Sequence, residues 1–476
     1  MKEASMFTKF DARAPGALLL VAGLAGGLAL SGCGDDAESP STGADAGVDT
    51  GGVDGSGMGT DGITGLSAED PQLAGNGDFT PSAESPAAMG GTPGAAFDAS
   101  ATYYGAVAPG GQNWLEGWTS FDGPGGIAGD ETTTSTFTGQ EGCDAVFGYR
   151  VICDDIDADV TWDAGDPILL TGLTFVTGGT LTIDAGVSVH GDVGAALVIS
   201  STAMIDAQGT AADPIVFTTS NGEAATPGDF GGLVLLGNAT INVGSANIEG
   251  MESSDSSSYG GNDDTHNCGT IRYARIEYAG SVFGQDNELN GLTVGGCGSD
   301  TTLDYIQVDN GLDDGIEFFG GTANLTHAVI SSSGDDGLDW DEGYRGNIQW
   351  LVITNSDDNG IEADNLGDDN DATPRSNPTI WNMTIVGNSG MRGMNLRRGT
   401  GADLNNVIIT DCGTEPFDIR DEATAAQISS GGLTMEYVMA FGNAGFSDES
   451  GTDDEGESLD DDGGFDEAAW FVAAEM

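Results

Sequence analysis

Lysine is almost absent. The chain has 476 residues with 12 Lys+Arg against 77 Asp+Glu, and both lysines, Lys2 and Lys9, lie close to the start. A phosphate-loop NTPase, a protein kinase or a lysine Schiff-base enzyme needs a positioned ammonium. The sequence therefore excludes those classes, and with them a bound nucleotide or pyridoxal phosphate. The formal charge of -65 repels phosphates and no basic stripe interrupts it, so nucleic acid is excluded as a partner. Histidine is also scarce: three His and six Cys, with neither HExxH nor CxxC spacing, give no zinc site. No Gly-x-Ser-x-Gly elbow is present, which leaves serine hydrolase chemistry without support. Long apolar runs are limited to residues 17–30, too few to span a bilayer.

That run follows Lys2, Lys9 and Arg13, as an export-signal core does. It ends in Leu30-Ser31-Gly32-Cys33, which resembles the bacterial lipobox. The resemblance implies that residues 1–32 are removed and that Cys33 is lipidated. It places the protein in the bacterial cell envelope, as an outer-membrane lipoprotein facing periplasm or medium. An ordinary secretory signal with an unrelated cysteine is the alternative. Processing at Cys33 would remove Lys2, Lys9, Arg13, Glu3 and Asp11, leaving nine arginines against 75 carboxylates. Residues 33–95 are mostly Gly, Ser, Thr, Ala, Asp and Pro, with Phe79 as their sole aromatic residue. So little apolar surface cannot offset the entropy of ordering, and the segment reads as a disordered acidic tether. Aromatic content rises at Tyr103-Tyr104 and Trp114-Leu115-Glu116-Gly117-Trp118. Residues 96–160 therefore open the ordered part, as a cap or as a separate module. Residues 446–476 read as an acidic tail.

Residues 161–445 carry two periodic signals. The first is Gly, apolar, polar and usually apolar again: Gly291-Leu292-Thr293-Val294, Gly315-Ile316-Glu317-Phe318, Gly337-Leu338-Asp339-Trp340, Gly360-Ile361-Glu362-Ala363 and Gly393-Met394-Asn395-Leu396. A degenerate copy follows at Pro416-Phe417-Asp418-Ile419, and the spacings are 24, 22, 23, 33 and 23 residues. The second signal is a strand of the type Leu-x-x-apolar-x-apolar from Ile271, Leu303, Leu325, Ile348, Ile380 and Leu404, with a looser copy near Leu433. Period-2 alternation in units of ~23 residues, without a helix-length segment in the repeat, describes the coils of a parallel β-helix stacked at ~4.8 Å. Its core column would be Leu292, Ile316, Leu338, Ile361, Met394 and Phe417, and its corners would take Gly and Asn at positive φ. A β-sandwich is the competing fold, but it predicts no repeat that holds phase through five copies.

Several segments resemble a widespread family of exported bacterial β-helix proteins. They include Gly179-Thr180-Leu181-Thr182-Ile183-Asp184-Ala185-Gly186, Asp213-Pro214-Ile215-Val216-Phe217-Thr218, Gly231-Gly232-Leu233-Val234-Leu235-Leu236-Gly237 and Asp336-Gly337-Leu338-Asp339-Trp340. The resemblance covers about residues 100–440. It implies an all-β chain folded as a right-handed parallel β-helix of the pectate-lyase-like kind, and it implies no activity.

Aligning coils on the repeated glycine stacks acidic residues. Asp314 and Asp336 precede it, Glu317, Asp339 and Glu362 lie two after it, and Asp341 and Asp364 lie four after it. Asp313, Asp335 and Asp358 line the same corner. Carboxylates at coil spacing repel one another, so protonation, arginine pairing or a cation must compensate. Dense hard oxygen ligands suit Ca²⁺; a merely solvated acidic ridge is the alternative. For catalysis the only constellation is Arg392 and Arg397 beside Asp339 and Glu362, in the manner of an enzyme acting on uronate polysaccharides. Polygalacturonase-type Gly-His-Gly and Arg-Ile-Lys segments are absent, and the arginines read more readily as countercharges. His327 shares a strand position with Tyr305 and Trp350 and reads as a packed residue. The expected role is thus non-catalytic: calcium-dependent binding of a glycan or another surface component, or structure.

With Cys33 lipidated, five cysteines remain in an oxidising compartment. Cys143 and Cys153 are close in sequence and lie outside the regular coils. Cys268 and Cys297 precede strands of successive coils and should meet at one corner. The expected pairs are Cys143–Cys153 and Cys268–Cys297, with Cys412 packed as a free thiol.

Overall fold

From Arg150 to Phe441 the strands of the coils pair in parallel with those of neighbouring coils, and two short side pairs, Ala246–Asn247 with Ser258–Tyr259 and Val282–Gly284 with Asn287–Glu288, are antiparallel. The computed structural model describes residues 67–75, 77–121, 138–284, 287–446 and 462–472, all within one unit, Gly47–Met476. The export signal and Cys33 lie outside them. The inward column runs in register as expected. Leu292 pairs with Ile316, Ile316 with Leu338, Leu338 with Ile361 and Ile361 with Met394, all fully buried. The chain is a parallel β-helix.

The long strands, Gly269–Glu277, Thr302–Asp309, Asn324–Ser331, Asn347–Thr354, Thr379–Val386, Ala402–Thr410 and Leu433–Phe441, each serve two sides of the coil. The first half of Gly269–Glu277 pairs with Ala203–Gln208 and the second half with Ile215–Thr219. A single residue makes the bend. Tyr273, Tyr305, His327, Trp350, Asn382, Asn406 and Tyr437 occupy it, all with φ between 47° and 62°. The bend uses positive φ as expected, and Asn382 and Asn406 fit the expected residue types, but Tyr, His and Trp take the other positions and glycine none. Such residues are strained by about 1–2 kcal/mol each. Stacking offsets the strain: ring centroids are 4.2 Å apart for Tyr273–Tyr305, 4.1 Å for Tyr305–His327 and 4.4 Å for His327–Trp350. His327 is packed, as expected, with Nδ1 2.8 Å from Asp304 Oδ1.

Residues 67–121 form a strap across this column of bends. Rung side chains bind the strap's backbone: Asn382 Nδ2 donates to the carbonyls of Ala101 and Tyr103, and Asn406 Nδ2 to that of Gly91. Gln307 Nε2 donates to Ser120 O, while Gln349 Oε1 accepts from Asp98 N. Leu115 and Trp118 are buried against Val329 and Val352. The expectation of a tether through residue 95 therefore differs from the structure, in which Leu73–Gly75 and Asp78–Pro81 already pair. Small polar residues order here because the rungs supply the donors and acceptors that the segment's own composition does not. The described part of residues 96–160 is neither one cap nor a separate module. It divides between the strap, through residue 121, and the stretch from 138 in which the first coil begins at Arg150–Ile152 instead of residue 161.

The C-terminal end also departs from expectation. Helix Glu422–Ser430 is capped by the Asp421 carboxylate, which accepts from Thr424 N at 2.8 Å, and by Gly431 at φ 75°. Phe446, Trp470 and Phe471, from the stretch read as an acidic tail, pack around Phe417, and Phe465 packs on Trp470. An open coil end exposes apolar surface, and these aromatics close it. Both expected disulfides are formed, and Cys412 is free and buried, its thiol pushed up to about 12 by burial.

Candidate cation-binding face

Alternation along the short strands sends the first and third residues after each glycine inward and the second and fourth outward. The outward pairs, in register, are Val234 and Leu236, Thr293 and Gly295, Glu317 and Phe319, Asp339 and Asp341, Glu362 and Asp364, then Asn395 and Arg397. The face therefore changes along the stack from apolar to acidic to arginine-bearing. At its apolar end Ile241, Ile248, Tyr259 and Leu289 cover Val234 and Leu236.

In the acidic part, ligand oxygens of Asp314, Glu317 and Asp339 all lie within 4.8 Å of one another. Two further groups at the corner, Asp313 with Asp314 and Asp335, and Asp335 with Asp336 and Asp358, meet the same limit. Burial drives the carboxyl pKa of Asp314, Glu317, Asp336, Asp339 and Asp341 well above the ordinary range, and neighbouring carboxylates add to it. For Glu317 the next contributions are Asp339 and Glu249; for Asp339 they are Glu362 and Asp364. Glu342 and Glu362 are pushed up to about 7, again chiefly by burial.

Some carboxylates have structural work. Asp314 Oδ1 accepts from Asp336 N at 2.9 Å, and Asp336 Oδ1 accepts from Asn359 N at 2.7 Å, so each ties its coil to the next. Others do not. Buried Asp339 Oδ1 and Asp341 Oδ1 have no hydrogen-bond partner, and the same holds for Asn290 Oδ1 and Thr293 Oγ1. Asn290 and Thr293 are 1% and 0% exposed. Asn290 Nδ2 donates to Glu317 Oε2, which fixes its side chain on the acidic group, and Thr293 is the register partner of Glu317. Orphaned buried oxygens beside clustered carboxylates have lone pairs free to act as cation ligands. Oxygen donors of this kind fit Ca²⁺.

The expected residues thus fall into four groups. Asp314, Glu317 and Asp339 come together, Asp336 joins the corner, and Asp341 stands beside Glu342, whose Oε2 accepts from Tyr259 Oη at 3.0 Å. Glu362 and Asp364 are claimed by arginine. Arg397 bridges both, with Nε 2.9 Å from Asp364, and Arg398 reaches Asp364 at 2.7 Å. Arg392 pairs with Glu415 at 3.1 Å and with Asp418 at 3.5 Å. Burial alone would lower the Arg397 pKa, but Asp364 and Glu362 outweigh it and raise it. Sequence reasoning did not single out Asn290, Thr293 or Glu342 as ligands. Asn290 and Thr293 occupy the acidic columns one coil earlier, which was the available signal. Glu342, just past its strand, carried none.

A family model described as a pectate-lyase-like β-helix domain matches residues 154–459. No curated protein matches the chain. Among solved structures, the enzymatically active domain of tailspike protein 2 from bacteriophage CBA120 aligns at 14% identity, over 58% of this chain and 41% of that one, with a TM-score of 0.25. Full-length tailspike protein 2 from an Escherichia coli bacteriophage aligns at 15% identity, over 58% and 37%, with a TM-score of 0.19. The chain spans about two fifths of the length of these structures. So loose a likeness bears on neither activity nor ligand.

Proposed function

Starting from the fact that this chain belongs to the pectate-lyase-like β-helix family, we propose that it is an exported, lipid-anchored β-helix of the bacterial envelope with a non-catalytic, calcium-dependent role. The carrying observation is the trio Asp314, Glu317 and Asp339 within 4.8 Å, beside the orphaned oxygens of Asn290 and Thr293. Three mutually repelling carboxylates favour a divalent cation over solvent, because one ion neutralises them and supplies the partner that the neutral oxygens lack. The ligand attached through that face is a glycan or another surface component. An acidic glycan would need the cation as a bridge, since Arg150, Arg272, Arg275, Arg345, Arg375, Arg392, Arg397 and Arg398 each sit within 3.7 Å of a carboxylate. Anchoring rests on Leu30-Ser31-Gly32-Cys33.

The alternative is an enzyme that cleaves or epimerises a uronate polymer. Arg392 and Arg397 are its candidate bases, and a base must give up its proton first. Both guanidinium groups are held charged by paired carboxylates, which favours the non-catalytic reading.

Calcium should raise the thermal midpoint of the chain and a chelator should lower it, since a ligand bound only by the folded state stabilises by mass action. Asp339→Asn combined with Glu317→Gln should abolish the difference. An identical melt of the parent protein under both conditions would refute the calcium reading. For the anchor, Cys33→Ala should move the protein out of the membrane fraction, and unchanged partitioning would refute it.

A further inference from the structure

Residues 242–261 leave the coil between the short strand Leu233–Leu236 and the long strand Gly269–Glu277 and double back as a hairpin. Its strands Ala246–Asn247 and Ser258–Tyr259 pair antiparallel, and Ile248 N donates to Ser257 O at 2.9 Å. Much of it is exposed, including residues 243–245, Asn247, Glu249 and residues 252–255. Two side chains draw it in. Ile248 and Tyr259, 1% and 4% exposed, pack with Val234 and Leu236 at the apolar end of the outward face.

Tyr259 carries the hairpin over the coil of Glu317. Gly295 makes room for it, since a β-carbon there would lie 2.9 Å from the ring. Gly295, Phe319 and Asp341 are register partners on successive coils. The Tyr259 ring stands 6.0 Å from that of Phe319, and its Oη donates to Glu342 Oε2, next to Asp341. The ring thus spans from the coil of Thr293 to that of Asp339, with Glu317 between them. The same hairpin brings a further carboxylate to the group. After burial and Asp339, Glu249 is the charge that presses hardest on Glu317, and it acts on Asp341 as well. The hairpin is therefore drawn in at Ile248 and Tyr259 and pushed away at Glu249 by like charge.

We infer that a calcium ion at Asp314, Glu317 and Asp339 clamps this hairpin onto the face, and that loss of the ion releases it. The inference rests on the calcium reading above and adds a regulated element to it. An ion at that position turns the push on Glu249 into a pull, so ion binding and hairpin closure favour each other. Release uncovers Val234 and Leu236, which gives the face a closed state in calcium and an open, apolar one without it.

Hydrogen exchange and calorimetry of the full chain, with calcium chloride as the probe, test the inference. Saturating calcium should slow the amides of Ile248 and Gly260, which donate to Ser257 O and Gly237 O, about 10-fold or more relative to chelator. Those of Thr302–Asp309 should not change. Glu249→Gln should weaken calcium binding about 5-fold or more and shrink the slowing, whereas Glu252→Gln, the same loss of charge on the exposed turn, should do neither. Tyr259→Phe, which keeps the ring and removes the bond to Glu342, should speed hairpin exchange and also weaken calcium binding. Calcium bound by the parent chain with hairpin exchange unchanged would overturn the clamp and leave the calcium reading standing. Parental calcium affinity in both Glu249→Gln and Tyr259→Phe would overturn it as well. A parent chain that binds no calcium would overturn both readings.

Discussion

Along the bend of the long strands Tyr273, Tyr305, His327 and Trp350 stack at 4.1–4.4 Å, whereas along the short strands Glu317, Asp339 and Glu362 repeat in the same way and repel. Both ladders come from one geometric fact, that successive coils place equivalent side chains about 4.8 Å apart. For rings and amides that spacing is an attraction, and the strap completes it by giving Asn382 and Asn406 backbone carbonyls to bind. For carboxylates it is a repulsion that burial makes worse. Toward the C-terminal end the protein relieves it with Arg397 and Arg398. At Asp314, Glu317 and Asp339 no arginine makes an ion pair among the described residues. One ladder is complete within the chain, and we propose that a cation completes the other.

The contrast can be broken from either side. The largest effect belongs to the strap: Trp118→Ala removes a side chain that is 1% exposed and packs on Tyr273 and Tyr305. It should cost about 3–5 kcal/mol in a urea melt, with or without calcium. Asn382→Ala removes the donor to Tyr103 O, one of the two donors to Ala101 O and the acceptor of Gln349 Nε2, and should cost about 2–3 kcal/mol, again without dependence on calcium. On the acidic face the sign itself should change with conditions. Asp339→Asn removes a repelling charge, so in chelator it should stabilise the protein by about 1 kcal/mol, and in saturating calcium it should destabilise it. The smallest effect is that of pH. Glu342 and Glu362 keep their protons up to about 7 when folded and lose them near 4.5 when unfolded. Between those values the folded state binds more protons, so stability in chelator should be greatest at the acidic end and fall as pH rises toward 7. A stability that rises over that range would mean that burial does not hold these two carboxyls protonated.

Most of the coil was legible because a two-residue alternation and a glycine before most of the short strands are local signals. Leu292, Ile316 and Leu338 reach the core as their spacing predicts. Cys268 and Cys297 meet because they precede strands of neighbouring coils. The strap was not legible. Its order derives from Gln307, Gln349, Asn382 and Asn406, more than 180 residues away, and nothing in its own composition announces them. The acidic columns were legible as columns, but which members pair with arginine depends on side-chain reach across coils. That is why Glu362 and Asp364 were grouped with Asp339 although Arg397 holds them.

A crystal structure of the chain in saturating calcium, with anomalous data, tests the account most directly. It predicts an anomalous peak among the carboxylates of Asp314, Glu317 and Asp339, with Asn290 Oδ1 or Thr293 Oγ1 turned toward it. An ordered face with no peak there, its carboxylates hydrogen-bonded to one another as neutral acids, would contradict it.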